Sequence, residues 1–130
     1  MAERKINHDL ATTLLVLARL LQYPDSEVRE HLREMRTALH GARTVGRQRL
    51  AELDALIDGL LAHSAIDTEA DYVQLFDCGR ATALHLFEHV HGDSRDRGPA
   101  MIDLAKTYEA AGLYLGEGEL PDYLPVVLQY

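Results

Sequence analysis

The tightest cluster of reactive side chains in the sequence is His85-Leu86-Phe87-Glu88-His89. Two imidazoles four residues apart on a helix share a face and could share a zinc ion, with the intervening glutamate activating its water; the order is the H-x-x-E-H of inverted zinc peptidases. A hydrolytic centre needs a third ligand, and Glu109 is the downstream carboxylate a helix could supply. An amphipathic helix turned towards solvent or a polar partner accounts for the same residues. His91 falls near a helix end, where a protonated ring meets the dipole favourably. Cys78, the only cysteine, sits beside Asp77 and near Arg80 with no second thiol or obvious base to activate it. Gly112, Gly116 and Gly118 follow a helix in acidic surroundings, unlike a phosphate-cradling loop, which links a strand to a helix.

The remaining candidates suit binding better than reaction. Tyr72, Leu75 and Phe76, just after Asp71, have the helical spacing of core residues, with an aromatic edge able to line a groove. The charged loop Asp93 to Gly98 contains Arg95 and Arg97 and is bracketed by Gly92 and Gly98. It reads either as a solvated connection with local ion pairs or as a hinge. In Glu119-Leu120-Pro121-Asp122 the aspartate reads as a helix cap, whereas Glu119 precedes a proline in a loop and has no such role. Acidic groups at a loop rim suit an arginine-bearing peptide laid on apolar neighbours.

These side chains must be positioned by helices, because every segment of useful length carries the helical period and none alternates as a strand does. The first helix is predicted from about Asn7 to Gln22, striped by Leu10, Leu14, Leu17, Ala18 and Leu21 and ended by Tyr23-Pro24. Asp25 or Ser26 caps a second, with Val28, Leu32, Met35 and Leu39 inward and Gly41 as terminator. A third spans about Gly46 to His63 on Leu50, Leu53, Leu56, Ile57, Leu60 and Leu61. Thr68 with Asp71 reads as the capping box of a fourth, which the Cys78-Gly79 step kinks or ends. The fifth, about Arg80 to His91, sets Leu84, Phe87 and His91 on one face and Leu86 and Val90 on another, predicting burial on two sides. Pro99 suits the first turn of a sixth, with Met101, Leu104, Ala105, Tyr108 and Ala111 inward and Gly112-Leu113 as its stop. Asp122 caps a last short helix.

The expected fold is therefore all-α, a single-domain bundle of about six or seven helices over residues 1–130. Val126, Val127, Leu128 and Tyr130 place apolar side chains at the very end of the sequence, where polar ones are usual. That pattern suggests a shortened chain whose C-terminal helices are missing, and it leaves room for self-association or exchange of the terminal segment between copies.

A chain of 130 residues, 47% hydrophobic and 26% charged, has the size of one domain. Its longest unbroken apolar run, Leu14 to Ala18, is five residues. A membrane span needs about 20, so no direct membrane insertion is expected. One cysteine and no signal-like start point to the cytoplasm. The net charge of -8 lies entirely in residues 66–130, which hold four basic and twelve acidic side chains against nine and nine in residues 1–65. Such a surface repels nucleic acid, which is bound by neutralising phosphates, and attracts a basic peptide.

Taken together, Asp71-Tyr72-Val73-Gln74-Leu75-Phe76-Asp77, Gly79-Arg80-Ala81-Thr82, Leu86-Phe87-Glu88-His89-Val90-His91-Gly92 and Ser94-Arg95-Asp96-Arg97-Gly98 resemble the NarJ-type nitrate reductase assembly chaperones. Tyr108-Glu109-Ala110-Ala111-Gly112-Leu113 and Glu119-Leu120-Pro121-Asp122 extend the resemblance, the latter being shared with the wider TorD and DmsD group of redox-enzyme maturation chaperones. The likeness is strong over residues 69–130 and compatible earlier, through Leu20-Leu21-Gln22-Tyr23-Pro24.

The resemblance implies an all-helical, cytoplasmic protein with no reaction and no cofactor of its own. Such a chaperone binds the N-terminal segment of the catalytic subunit of a respiratory nitrate reductase. It holds that subunit until the molybdenum cofactor is inserted, and it delays docking to the membrane anchor. Because that segment resembles a remnant twin-arginine signal, Asp71, Glu88, Glu119 and Asp122 become candidate contacts for its basic groups. Tyr72, Phe76, Tyr108 and Leu120 become candidates for its apolar side. His89 and Pro121 complete the candidate peptide-binding set, and Gly92, Arg95, Arg97 and Gly98 the hinge loop. The groove is expected between the fourth helix, the loop after the fifth and the 119–122 segment. Cys78 stands where the family commonly has arginine, removing a charge, and Tyr123 where histidine is common, removing a pH-sensitive contact. Family members also continue with further helices. The alternatives are a zinc-dependent hydrolase built on His85, Glu88 and His89, and a helical adaptor for another client.

Overall fold

The computed structural model describes residues 2–78, 81–92 and 94–130. Its α-helices are α1 (Ala2–Leu20), α2 (Ser26–Glu30), α3 (Leu32–Ala42), α4 (Arg47–Ala62), α5 (Ala65–Tyr72), α6 (Leu86–Val90), α7 (Arg97–Ala110) and α8 (Leu124–Gln129), and α5 runs on into a π-helical turn, Val73–Asp77. Among the described residues there is no β-strand, so the fold is all-α as the periodicity requires. No helix among them is long and apolar enough to cross a membrane.

Several helix ends differ from expectation for local reasons. α1 starts at Ala2, before Asn7, because alanine, glutamate, arginine and lysine favour helix and Glu3 suits the first turn. Asp25 caps α2 as expected, accepting a hydrogen bond from the Val28 N–H at 3.0 Å. The predicted second helix is broken at His31 (φ -102°, ψ 5°) into α2 and α3. Gly41 does not end α3. The helix continues through the buried Ala42, and Arg43 takes the left-handed turn at φ 55°. Ser64, not Thr68, caps α5, its hydroxyl accepting from the Asp67 N–H at 3.2 Å. Thr68 lies inside the helix and is buried.

The largest correction concerns the fifth predicted helix. Its start at Arg80 lies outside the described residues, as do Gly79 and Asp93. Within them α6 covers only Leu86–Val90, because the backbone before it pairs with a distant segment. The Leu86 N–H donates to the Asp122 carbonyl at 3.0 Å and the Leu124 N–H to the Leu84 carbonyl at 2.8 Å, an antiparallel bridge of His85 with Tyr123. Leu84 is buried but Val90 is 71% exposed, so burial is one-sided. α7 begins at Arg97 and therefore contains Gly98 and Pro99. It ends as predicted at Gly112 (φ 80°): the Leu113 N–H reaches the Tyr108 carbonyl and the Gly112 N–H the Glu109 carbonyl, both at 2.9 Å, which is the Schellman arrangement.

The core is made by the first four helices. Val16, Val28, Leu32, Met35, Leu39 and Ile57 form its buried centre, with α1 packed on α3 and α3 on α4. The buried stripe of α1 is set by Thr13, Val16 and Ala18, while Leu10 is 48% exposed. α8 also packs along α1, which brings the two ends of the chain together.

Candidate functional site

A cavity of about 580 Å³ opens between α1, α4 and α5 with its π turn. Leu17, Leu20 and Leu21 supply one wall, Leu56 and Leu60 of α4 the second, and Tyr72, Leu75 and Phe76 the third. Leu128 of α8 also lines it, as does Asp71, an exposed carboxylate. The breadth of the α4 apolar face now has a reason: Ile57 is fully buried in the core while Leu56 is 47% exposed and faces the cavity.

Tyr72 is the fixed point of this groove. Its ring meets Tyr23 edge-on at 5.6 Å and Phe76 at 4.8 Å between centroids. Its hydroxyl donates to the Leu21 carbonyl at 2.7 Å. That uses the only proton the oxygen carries, so the Tyr123 hydroxyl at 3.0 Å is the donor to it. Burial pushes the Tyr72 phenol well above its usual value. It therefore stays a neutral donor and ties α5 to the end of α1.

Tyr123 also lines a second hollow, of about 470 Å³, with Gln22, His85, Glu119, Leu120 and Pro125. The Tyr72–Tyr123 bond thus joins the two concavities. Glu119 has the structural role that its loop position seemed to lack: its carboxylate accepts from the Gly116 N–H at 2.9 Å, closing its own turn. Its side chain is nonetheless exposed.

The other candidate residues fall elsewhere. Asp122 is completely buried and does not cap α8. Its Oδ2 accepts from the Phe87 N–H at 3.0 Å, so it caps α6 from across the fold. Its Oδ1 lies 3.5 Å from His85 Nδ1. Tyr108, 3% exposed, donates to the Pro121 carbonyl at 2.8 Å, and Pro121 is buried with it. Burial, then the Asp122 charge, raises the Tyr108 phenol. Glu88 pairs with Arg97 at 2.9 Å, and Arg97 also donates to the Gly92 carbonyl at 3.3 Å, so the expected hinge loop is bridged across its base. Arg95 is exposed, and Gly98 belongs to α7. His89 Nε2 lies 2.8 Å from the Ala83 carbonyl.

The shared helical face that zinc binding at His85 and His89 would need is not formed. His85 is extended (φ -89°, ψ 111°) before α6, and only His89 is on the helix. Among the described residues no three His, Cys, Asp or Glu side chains converge as a metal site requires. Asp71, Tyr72 and Phe76 are thus brought together on the groove, and Glu119 and Leu120 on the adjoining hollow. Sequence reasoning did not find the α1 and α4 walls, Gln22, or Tyr123 as the link between the two. The signal available was the number of leucines on α4, more than one core-facing stripe uses.

The described residues thus form an all-helical scaffold with a largely apolar groove that has Asp71 among its lining residues. The family model for the nitrate reductase delta subunit matches residues 21–130, and the chain belongs to that family. It is 45% identical over 117 residues to the nitrate reductase molybdenum cofactor assembly chaperone NarJ of Escherichia coli (strain K12), covering 90% of this chain and 50% of that protein. It is 44% identical over 117 residues to the probable assembly chaperone NarW of the same strain, covering 90% of this chain and 48% of NarW. Its identity to the probable NarJ of Bacillus subtilis (strain 168) is 32% over 125 residues, 94% of this chain and 65% of that protein. The chain thus spans about half the length of the two Escherichia coli relatives.

Proposed function

We propose that this protein is a non-catalytic, cytoplasmic assembly chaperone for a respiratory nitrate reductase. It captures the N-terminal segment of the catalytic subunit as a helix laid in the α1–α4–α5 groove and holds that subunit for molybdenum cofactor insertion before membrane docking. The observation that carries this reading is the groove itself: a largely apolar concavity of about 580 Å³ walled by Leu17, Leu56, Tyr72 and Phe76, with Asp71 among its lining residues. Family membership supports the client, since the relatives are named for nitrate reductase.

Magnitudes divide the work between the two kinds of contact. Each leucine- or phenylalanine-sized side chain taken up contributes about 1.5–3 kcal/mol. An exposed ion pair contributes about 0.2–1 kcal/mol. Apolar matching therefore supplies most of the affinity, and Asp71 and Glu119 select a segment carrying basic groups. The buried Asp122 acts by holding α6 and the Tyr123 segment in place.

Calorimetric titration with the N-terminal peptide of the catalytic subunit, against a scrambled peptide of the same composition, tests the reading. Sequence-dependent binding that Leu56→Asp abolishes is expected. Equal heats for the two peptides, or a binding isotherm unchanged by Leu56→Asp in a folded protein, would overturn it.

A further inference from the structure

The α5 wall of the groove is held at two points, Thr68 within the helix and Tyr72 at its last residue. At its C-terminal end the Tyr72 hydroxyl reaches back to the Leu21 carbonyl. At Thr68 and the α4–α5 corner before it the holder is Arg29, on α2. Arg29 Nη1 donates to the Leu60 carbonyl at 3.3 Å and to Thr68 Oγ1 at 2.8 Å, and Nη2 donates to the His63 carbonyl at 3.0 Å. The two carbonyls lie in the last turn and cap of α4, where acceptors have no partner within the helix. Thr68 is 4% exposed, and its own proton is directed at the Ser64 and Ala65 carbonyls, so its oxygen is the acceptor for the guanidinium. Leu60, His63 and Thr68 all line the groove; Arg29 does not.

Apart from these ties α5 has little lateral support. The extensive helix packing is α1 on α3 and α8, and α3 on α4, whereas α5 is continuous with the π turn. A wall fastened at two points takes its distance from the opposite wall from the fasteners. Val28, the neighbour of Arg29, is part of the buried core, so the arginine is itself firmly anchored.

We propose that Arg29 is a positioning residue for the groove: from outside the cavity it ties the α4–α5 corner to α2 and fixes the opening into which a helical client enters. The inference rests on the peptide-capture reading above. Arginine is needed because three acceptors lie in different directions around a planar fork. An ammonium, as a compact point donor, does not reproduce that geometry. The groove is then already spaced in the free protein, and the bound helix does not have to order α5 as it enters. The effect is preorganisation, which is read chiefly in the dissociation rate.

The test measures peptide association and dissociation for the wild-type chain and for Arg29→Ala, Arg29→Lys, Thr68→Val and Arg29→Ala/Thr68→Val, together with amide hydrogen exchange. Arg29→Ala is expected to weaken binding about tenfold through faster dissociation. Arg29→Lys should recover only part of this, and the double variant should be no weaker than Arg29→Ala, since both remove one tie. Exchange should quicken in Ala65–Tyr72 while α3 stays protected, and bound peptide should restore the protection. If Arg29→Ala does not fold, Arg29→Lys and Thr68→Val carry the same test. Unchanged dissociation in folded variants would overturn the inference, as would exchange quickened equally in α3 and α5. Peptide silence in the wild-type chain would overturn the capture reading first, and the inference with it.

Discussion

Asp122 shows how a single buried carboxylate joins two stretches of chain that sequence keeps far apart. Its side chain caps α6 and its carbonyl receives the Leu86 N–H. Replacing it with alanine leaves the Phe87 N–H without its acceptor, a loss of about 1–3 kcal/mol. Asparagine keeps an acceptor at that point, so urea denaturation should rank wild type above Asp122→Asn and both above Asp122→Ala. His31 behaves differently because its proton matters. The Glu27 carbonyl 2.7 Å from Nδ1, and then Glu34, Glu30 and Glu27 as charges, hold its pKa above the ordinary 6.5 against a smaller opposing effect of desolvation. A folded pKa above the unfolded one favours the folded state. The contribution is complete below the unfolded value and disappears as pH rises through the folded value. Melting temperatures measured across that window should show the advantage of the wild type over His31→Ala shrinking as pH rises.

At the scale of the element, the informative features are where helices stop. α3 ends on Arg43 in the left-handed region at φ 55°, a conformation that costs a side chain with a β-carbon about 1–2 kcal/mol. Arg43→Gly is expected to raise the urea midpoint by up to about 1 kcal/mol equivalent with the slope unchanged, glycine's greater unfolded-state freedom offsetting the rest. The sequence signal for this end was Gly41, which is the commoner terminator, but a helix stops where its buried face stops, and Ala42 is 6% exposed. Some ends set by local chemistry were legible: Asp25, Gly46, His63 and Gly112 stand where spacing placed them, whereas Ser64, an equally local cap, was passed over for Thr68. Ends set by a distant partner were not. Nothing near His85 announces that its backbone pairs with Tyr123, so a five-residue helix was expected to be much longer. The groove divides in the same way. Tyr72 and Phe76 show themselves by helical spacing, whereas the facing Leu17 and Leu56 are indistinguishable in sequence from core leucines until the packing is known.

For the molecule as a whole, the capture reading proposed above gives the surplus of acid in residues 66–130 the role of a long-range attraction for a basic client and the groove the role of holding it. The two roles separate experimentally. Raising salt should slow association while changing dissociation little, because screening acts on exposed charges and leaves apolar contacts intact. Glu119→Lys should likewise lower the association rate about two- to fivefold. A dissociation rate that rose with salt as steeply as association fell would assign the holding force to charge instead.

The packing of α8 along α1 also sets an order in time. These helices are separated by about a hundred residues, and closing a loop of that length carries an entropic cost that grows with its logarithm. α1 can settle on α3 early, through contacts that are near in sequence, but it receives its second neighbour only after Leu124–Gln129 exists and has found it. Leu128 joins the groove in that same event. In a refolding experiment helix formation should therefore run ahead of completion of the groove, and on the ribosome a nascent chain is helical before its groove is whole.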